Sequence, residues 1–216
     1  NEGILVGNPL VTQRKAPFHV SVHDDQPEAI CRRSRRYRLL QSLAQRSWLK
    51  FMRRAKSVDV TSEGMRDYYA AHRGIASFVY HPYVARLGPG GRPPQSALHI
   101  GHLGTLYSKT EFECFLRGAA LAAVRLGLPL HITSISHDRI DLGPYRSFLP
   151  PDTKTEMITS LPEPEAVQKL STCHFLYAMY PFDERNRVFR MTSQPTKLSS
   201  YMQMRRPVFA HTPEDS

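Results

Sequence analysis

The sequence predicts an α/β protein with two Rossmann-like units, both incomplete within its 216 residues. Short apolar stretches that favour strands alternate with longer stretches whose apolar residues recur at helical spacing, which is typical of a parallel sheet covered by helices. The Gly- and Pro-rich stretch GPGGRPP at 88–94 interrupts this alternation, which then starts again. We therefore expect one unit at 1–84, a linker at 85–96 and a second unit at 97–216.

The first unit is predicted to contain three strands and two helices. Its strands are expected at 17–22, 57–61 and 78–80, where β-branched and aromatic residues concentrate. A long amphipathic helix is expected over 29–55, and a second over 63–72 with Thr61 or Ser62 as its cap.

The second unit is predicted to begin as a strand, a turn, a helix and a further strand, and then to repeat the alternation. Its strands are expected at 97–103, 129–134, 173–179 and 207–210, and its helices at 109–126, 163–170 and 196–204. The chain opens without Met and stops just after a strand-like run, so we expect it to be a fragment.

The charge of the chain is concentrated in one segment. The net charge is +10, and residues 32–56 hold ten Lys and Arg with no acidic residue, so the remainder is neutral. A local patch differs from the overall field expected of a protein that coats nucleic acid, so no nucleic-acid partner is expected. The densest part of the patch suits anionic lipid head groups or an acidic acceptor, with an ordinary solvated face as the alternative. Lipid binding would give peripheral contact with a membrane through Arg32, Arg33, Arg35, Arg36 and Arg38.

Two further features bear on location and metal binding. The most apolar stretch, 119–130, is interrupted by Arg125 and Pro129 and is too short to span a membrane. The three cysteines, Cys31, Cys114 and Cys173, lie far apart, which fits neither a disulfide framework nor a metal site. We therefore expect a cytoplasmic protein, with the membrane contact at the inner face, and no metal or other cofactor.

The most informative stretch is TSQPTKLSSYMQMRRPVFAHTP at 192–213. Ser193 can cap the helix, Pro195 suits its first turn, and Lys197 lies where free backbone N–H groups and the positive end of the helix dipole converge. This combination attracts phosphate. From the spacing alone, an ordinary capped helix with a solvated lysine is the alternative.

These residues resemble the nucleotide-sugar-dependent glycosyltransferases of the GT-B type, in particular the group 1, family 4-like bacterial enzymes. The donor-domain segment S-x-P-S/T-K-L-x-x-Y…R-P-V of that family is matched by Ser193, Pro195, Thr196, Lys197, Leu198, Tyr201, Arg206, Pro207 and Val208. The stretch AKSVDVTSEGMRDYY at 55–69 is similar to the end of the family's first domain. Gly104 and Thr105 stand where the family places a glycine-rich loop near the diphosphate.

The resemblance implies an enzyme that transfers a sugar from a nucleoside-diphosphate sugar to an acceptor hydroxyl, in the synthesis of cell-surface polysaccharide or glycoconjugate. The acceptor would be a carbohydrate, a lipid-linked molecule or a protein. The first unit would belong to the acceptor domain and the second to the donor domain. The implied nucleotide-binding residues are Gly104, Thr105, Lys109, Ser193, Pro195, Thr196, Lys197 and Ser200, with Lys197 also acting on the departing diphosphate.

Two departures from the family pattern leave a second interpretation open. Family members commonly carry two glutamates, with seven residues between them, that hold the donor sugar and ribose. Thr192 and Ser200 occupy the aligned positions. The loop after Leu103 also lacks the family's arginine, which leaves Lys109 as its nearby cation. A glycosyltransferase-like binding module without catalysis is therefore the alternative.

Two other sets of residues are candidates for chemistry. His23, Asp24 and Asp25 follow a predicted strand, where a carboxylate could orient an acceptor hydroxyl or simply cap the next helix. The letters HIGH at 99–102 are similar to the ATP-binding signature of class I aminoacyl-tRNA synthetases, with KLSS at 197–200 as a weak second signature. This predicts a nucleotide-binding protein of that class as a further alternative.

Overall fold

The computed structural model describes residues 17–24, 41–81, 88, 90–138 and 140–216. These residues form two compact units. Unit 1 comprises the described residues up to 81 together with 183–194 and 215–216, and unit 2 comprises 88–182 and 195–214. Residues 183–194 thus belong with the first unit, whereas the predicted division places them in the second.

The elements follow the alternation that the sequence predicts. The strands are β1 (His19–Val22), β2 (Ser57–Val60), β3 (Phe78–Val79), β4 (Leu98–Leu103), β5 (Leu130–Ile135), β6 (Lys154–Ile158), β7 (Phe175–Met179) and β8 (Val208–His211). The α-helices are α1 (Gln41–Met52), α2 (Glu63–Arg73), α3 (Lys109–Leu126), α4 (Glu163–Leu170), α5 (Arg187–Thr192) and α6 (Lys197–Met204). Short 3-10 turns lie at Gly143–Tyr145 and Glu184–Asn186.

Each unit contains one sheet, and every strand pair in both sheets is parallel. The sheet of unit 1 has the order β1-β2-β3, and that of unit 2 has the order β6-β5-β4-β7-β8. In the five-stranded sheet the strand order reverses between β4 and β7. The predicted α/β class with parallel sheets and a Rossmann-like arrangement is confirmed.

The core of unit 1 lies on one face of its sheet. Alternate residues of β1 and β2 are buried there, namely Val20, Val22, Val58 and Val60. They pack with Trp48 and Met52 of α1 and with Met65 and Tyr69 of α2. Ser62 caps α2 as predicted, because its hydroxyl accepts a hydrogen bond from the Met65 N–H at 3.0 Å.

Unit 2 has helices on both faces of its sheet. Helix α3 covers one face with the buried residues Phe112, Phe115, Leu116, Ala119, Ala120 and Ala123. Helices α4 and α6 cover the other face with Ala166, Val167, Leu170, Tyr201 and Met204. This doubly wound arrangement leaves the carboxyl ends of the strands along one edge of the sheet.

Two elements, β6 and α5, are absent from the sequence-based expectation. The β6 sequence KTEMI is half polar and lies at the edge of its sheet, so it lacks the apolar run typical of a central parallel strand. Helix α5 has six residues, too few for a periodic pattern. Of the long helix predicted at 29–55, the structure describes Gln41–Met52, and its first part lies outside the described residues.

The described part of the predicted linker packs within unit 2. The Gly88 N–H donates to the Gln203 carbonyl at 2.9 Å, and the Arg206 guanidinium donates to the Gly91 carbonyl at 2.6 Å. A β-carbon on Gly91 would lie 2.7 Å from the Ser171 carbonyl oxygen, so this close approach of two backbones needs glycine. Within the described part of the chain, no helix combines the length and the apolar character needed to cross a membrane.

Candidate functional site

The strand-order reversal in unit 2 places a crevice at the carboxyl ends of β4 and β7. In open α/β sheets, ligands bind at such a reversal because the helices that follow the two strands lie on opposite faces. Helix α3 follows β4 on one face, and α6 lies on the other. The candidate site is therefore expected beside the residues that directly follow Leu103 and Met179.

Gly104 ends β4 and turns the chain across this edge. Its N–H donates to the Ile135 carbonyl at 2.8 Å, and its φ of +88° lies in the region that favours glycine. A β-carbon at Gly104 would stand 3.7 Å from both Cε and Nζ of Lys197. The turn thus brings the backbone of residues 104–105 against the Lys197 side chain.

Lys197 is the first residue of α6 and is 9% exposed. Its Nζ donates to the Thr105 carbonyl at 3.3 Å and lies 5.2 Å from the centre of the Tyr107 ring. Within the residues that the structure describes, no carboxylate forms an ion pair with this ammonium group. Burial lowers the pKa of Lys197 to about 8. A buried cation that lacks an anionic partner is the kind of group that binds an anionic ligand.

Tyr201 fixes the position of α6 at the reversal. Its ring is fully buried, its hydroxyl accepts a hydrogen bond from the Leu103 N–H at 2.9 Å and donates to the Tyr177 carbonyl at 2.8 Å. The side chain therefore ties one helix to both strands that flank the crevice. This bonding holds Lys197, one turn earlier, at the carboxyl end of β4.

His102 lies on β4 with its side chain on the α3 side of the sheet. Its Nδ1 is 2.9 Å from the Ser134 hydroxyl, and its buried Nε2 has no hydrogen-bond partner among the described residues. Burial, with a smaller contribution from the Lys197 charge, lowers the pKa of His102 to about 3. The ring is therefore neutral at physiological pH and adds no positive charge to the site.

The two histidines of the HIGH stretch do not act together. Residues three apart on a strand face opposite sides of the sheet, and His99 Nε2 accordingly pairs with the Thr133 hydroxyl at 2.9 Å, away from His102. Phosphate groups bound at one face would meet only one of the rings. This geometry argues against the synthetase-like interpretation.

A polar pocket lies beside the site, at the carboxyl ends of β5 and β6. It has a volume of about 740 Å³ and is lined by Ser134, Ser136, Asp138, Ile140, Asp141, Met157, Ile158 and Thr159. Three hydroxyl groups and two carboxylates in one cavity favour a ligand rich in hydroxyl groups. Ser134 connects this pocket to His102.

The start of α6 differs from the predicted one. Thr196 is the N-cap residue, without a side-chain capping bond, and Lys197 begins the helix. Ser193, the predicted cap, instead ends α5, because its N–H donates to the Phe189 carbonyl at 2.8 Å. The predicted cap is therefore wrong, and Ser193 belongs to unit 1, whereas Pro195 and Thr196 belong to unit 2.

The other predicted nucleotide-binding residues fall into two groups. Gly104, Thr105 and Lys197 are brought together, whereas Lys109 is exposed at the start of α3 and has no hydrogen bond or ion pair to a described residue. Ser200 is buried and donates to the Glu163 carboxylate at 2.8 Å. Sequence reasoning missed Glu163, since its partner lies 37 residues away along the chain.

The candidate acceptor-side residues belong to unit 1. His23 and Asp24 are exposed at the carboxyl end of β1, where the sequence predicts them, and the His23 carbonyl accepts a hydrogen bond from the Thr61 hydroxyl at 3.2 Å. Asp25 and the arginines at 32–38 lie outside the described residues. In the described ranges, no group of three His, Cys, Asp or Glu side chains is arranged to hold a metal ion.

The strand order defines unit 2 as a Rossmann-like unit with a reversal of strand order between β4 and β7. No family model and no curated protein matches the sequence. Solved structures share the fold, and two of them superpose with a TM-score of 0.50. The crystal structure of TarM superposes with a TM-score of 0.50 at 14% sequence identity, over 77% of this chain and 31% of TarM.

The second structure is a mutant of S. aureus TarM in complex with fondaparinux, α-GlcNAc-glycerol and UDP. It superposes with a TM-score of 0.50 at 12% identity, over 75% of this chain and 31% of that protein. The chain thus spans about a third of the length of the proteins that it matches. The similarity shows that the chain has a glycosyltransferase-like fold.

Proposed function

We propose that the protein is a glycosyltransferase that moves a sugar from a nucleoside-diphosphate sugar to an acceptor hydroxyl. The observation that carries the proposal is the buried Lys197 ammonium, which lacks an anionic partner among the described residues and lies against the 104–105 backbone at the strand reversal. A diphosphate supplies the missing negative charge. The glycosyltransferase-like fold, and a matched structure in complex with UDP, agree with this ligand class.

The chemistry needs stabilisation of a departing anion. In the transfer, the bond between the anomeric carbon and the diphosphate oxygen breaks, and the bonding electrons leave with the nucleoside diphosphate. The acceptor oxygen forms the new bond to that carbon and loses its proton to a base. Lys197 would stabilise the charge that develops on the leaving oxygen, and because the group is largely shielded from water its effect is stronger than at the surface.

The remaining roles follow from the resemblance and the placement of residues. Thr105 and the start of α6 at Thr196 would contact the diphosphate through backbone N–H groups. The Gly104 N–H is bonded to the Ile135 carbonyl, so the role of Gly104 would be to let the backbone approach the diphosphate closely. His23, Asp24 or Asp25 would accept the acceptor's proton. The polar pocket lined by Ser134 and Asp141 suits a hydroxyl-rich part of a substrate. The setting would be polysaccharide or glycoconjugate synthesis at the cytoplasmic side of a membrane.

The experiment that tests the proposal measures both binding and turnover. Calorimetric titration with UDP, GDP, ADP and the corresponding monophosphates should show binding that depends on the second phosphate. Incubation with the matching radiolabelled nucleotide sugar and a panel of glycan, lipid-linked and protein acceptors should release the nucleoside diphosphate and label one acceptor. Protein that binds none of the diphosphates, at concentrations up to millimolar, would contradict the proposal.

A second candidate function is a binding module with the same fold and no catalysis. The observation that favours it is the absence of an acid at residue 192: the Thr192 hydroxyl donates to the Val188 carbonyl within its own helix. Such a module would bind the nucleotide sugar and leave it intact. Diphosphate binding without any release from the nucleotide sugar, in the presence of every acceptor, would support this candidate over the enzyme.

A further inference from the structure

We infer that the polar pocket at the carboxyl ends of β5 and β6 binds an amino sugar. Ser136 donates a hydrogen bond to the sugar, and Asp138 and Asp141 pair with its ammonium group. This ligand goes beyond the proposed function, because no part of a nucleoside diphosphate carries a positive charge. The pocket has room for it, since its volume of about 740 Å³ lies within the range of small-molecule sites, roughly 300–1,000 Å³.

Ser136 is the buried polar group that points to a ligand. Its side chain lines the pocket although the residue is only 6% exposed. Its N–H donates to the Ile158 carbonyl at 2.9 Å, which holds it between the two strands, and its hydroxyl accepts the Asp138 N–H at 3.1 Å. No described residue accepts the proton of this hydroxyl group. A buried donor without an acceptor costs free energy, and a ligand oxygen in the pocket would supply the acceptor.

Ser134 presents a second buried hydroxyl group to the same cavity. It is 2% exposed, and among the described residues its side chain makes one hydrogen bond, to Nδ1 of His102 at 2.9 Å. A hydroxyl group has one proton and two lone pairs, so it can make a further bond whichever tautomer the histidine adopts. Two buried hydroxyl groups with unused bonding capacity favour a ligand that carries several hydroxyl groups of its own.

The charge of the pocket distinguishes between sugars. Asp138 and Asp141 line it, and no Lys, Arg or His of the described residues does. The Asp141 Oδ1 accepts the Gly143 N–H at 2.8 Å, which orients the carboxylate, whereas its Oδ2 and both oxygens of Asp138 have no partner within the described part of the chain. These free oxygens attract an ammonium group and repel phosphate. The diphosphate therefore stays with Lys197, and the pocket takes the amino sugar.

The experiment is an NMR titration of isotope-labelled protein, without nucleotide, with glucosamine, glucose and N-acetylglucosamine at about pH 6, where the amine is protonated and the carboxylates are ionised. The backbone amide signals of Ser136, Asp138 and Gly143 should shift. Glucosamine should bind about threefold more tightly than the two neutral sugars, the discrimination typical of an exposed ion pair.

Variants of the two carboxylates test the source of this preference. Asp138→Asn and Asp141→Asn should each reduce it, and the double variant should abolish it. Asparagine at 141 can still accept the Gly143 bond, so the loop keeps its conformation. Asp152→Asn is the matched control and should keep the preference, since this exposed aspartate lies outside the pocket.

Two further measurements define the site. Ser136→Ala should weaken the binding of all three sugars about threefold, because the buried donor is lost. UDP-glucosamine separates the two possible sources of the amine: tighter binding than that of UDP would place it in the donor, and equal binding would place it in an acceptor.

Three results would overturn the inference. They are the absence of binding of every sugar, equal affinity of the wild-type protein for glucosamine and glucose, and displacement of glucosamine by UDP, which would make the pocket part of the nucleotide site. Absence of all diphosphate binding would instead refute the proposed function and leave the amino-sugar site standing, because the sugars are titrated without nucleotide.

Discussion

Each unit contains a buried cationic side chain, and the two side chains differ in their hydrogen-bond and ion-pair partners. Arg190 in unit 1 is 4% exposed and binds Asp215 through two hydrogen bonds, at 2.7 and 3.0 Å, with further bonds to Glu184 and to the Asp183 carbonyl. Lys197 in unit 2 is 9% exposed and has a single carbonyl and an aromatic ring beside it. Both side chains are thus largely buried. Carboxylates compensate the charge of Arg190, whereas no carboxylate of the described residues pairs with Lys197.

The difference separates a structural role from a binding role. A paired buried charge holds elements together. Asp215 binds the segment 183–194 through Arg190, and the Ser62 hydroxyl binds the same segment two residues later, where it donates to the Thr192 carbonyl at 2.8 Å. An unpaired buried charge costs folding free energy. Its retention is explained when a ligand supplies the counter-charge. Removal of the charge should therefore cost stability at Arg190 and little or none at Lys197.

The largest expected effect is on the stability of unit 1. Arg190→Ala should lower the free energy of unfolding by about 3 kcal/mol, because the buried guanidinium group and its charged hydrogen bonds are lost and the partly exposed Asp215 carboxylate loses its partner. Lys197→Met, which keeps the length of the side chain and removes its charge, should change the free energy of unfolding by less than about 1 kcal/mol or raise it. Urea denaturation measures both. Equal destabilisation by the two variants would mean that Lys197 is structural as well.

The next effect is on turnover. Lys197→Ala should reduce sugar transfer about a hundredfold, because the transition state loses a preorganised charge on the leaving diphosphate. Lys109→Ala serves as the control, since this lysine is exposed and has no bonded partner among the described residues, and it should retain transfer within about threefold. Comparison of kcat/KM with the nucleotide sugar as the varied substrate gives the result. A larger loss of kcat/KM in Lys109→Ala than in Lys197→Ala would assign the proposed role to Lys109.

A smaller effect is the pH dependence of nucleotide binding. Burial lowers the pKa of Lys197 to about 8, so the free protein loses its ammonium charge above that pH. The affinity for UDP should fall toward tenfold per pH unit above about pH 8, a range in which the terminal phosphate of UDP, with a pKa of about 6, no longer titrates. Lys197→Arg keeps its charge and should abolish the decline. If the affinity of Lys197→Arg for UDP still declined above about pH 8, a group other than Lys197 would be responsible for the decline.

The smallest effect concerns acid stability. The pKa of His102 is lowered to about 3 by burial, so the unfolded chain binds a proton below about pH 6.5 that the folded protein excludes. Stability contributed by this residue is therefore present above about pH 6.5 and is lost as the pH falls. His102→Gln can still bond to Ser134 but does not titrate. Between about pH 7.5 and about 5.5, its free energy of unfolding should therefore fall by about 1 kcal/mol less than that of the wild-type protein. His137→Gln, an exposed position, should lose as much as wild type.

Apolar periodicity and helix-ending residues were enough to predict the helices and strands whose ends are set by nearby residues in the sequence. Helix α3 has its predicted bounds, because apolar periodicity marks its length and Gly127, with φ of +64°, ends it. Helix α4 also has its predicted bounds. The same local information placed Lys197 at the start of α6 and His23 and Asp24 at the end of β1.

Features that depend on distant contacts could not be predicted in this way. Ser193 ends α5 rather than beginning α6, because the segment 183–194 is held to unit 1 by Arg190 and Ser62. The Glu163–Ser200 bond joins residues 37 apart, which no local pattern reveals. Burial of Lys197, the property that distinguishes it from a solvated lysine, likewise depends on the packing of α6 against β4 and β7.

The most direct measurement is an NMR titration of the Lys197 side chain, labelled at Cε and Nζ and assigned with Lys197→Arg, with and without UDP. The expected result is a pKa near 8 in the free protein and a rise of at least about one unit on binding, because the diphosphate stabilises the charged form. A pKa near the ordinary lysine value in the free protein, or one unchanged by saturating UDP, would contradict the assignment of Lys197 as the diphosphate-binding cation.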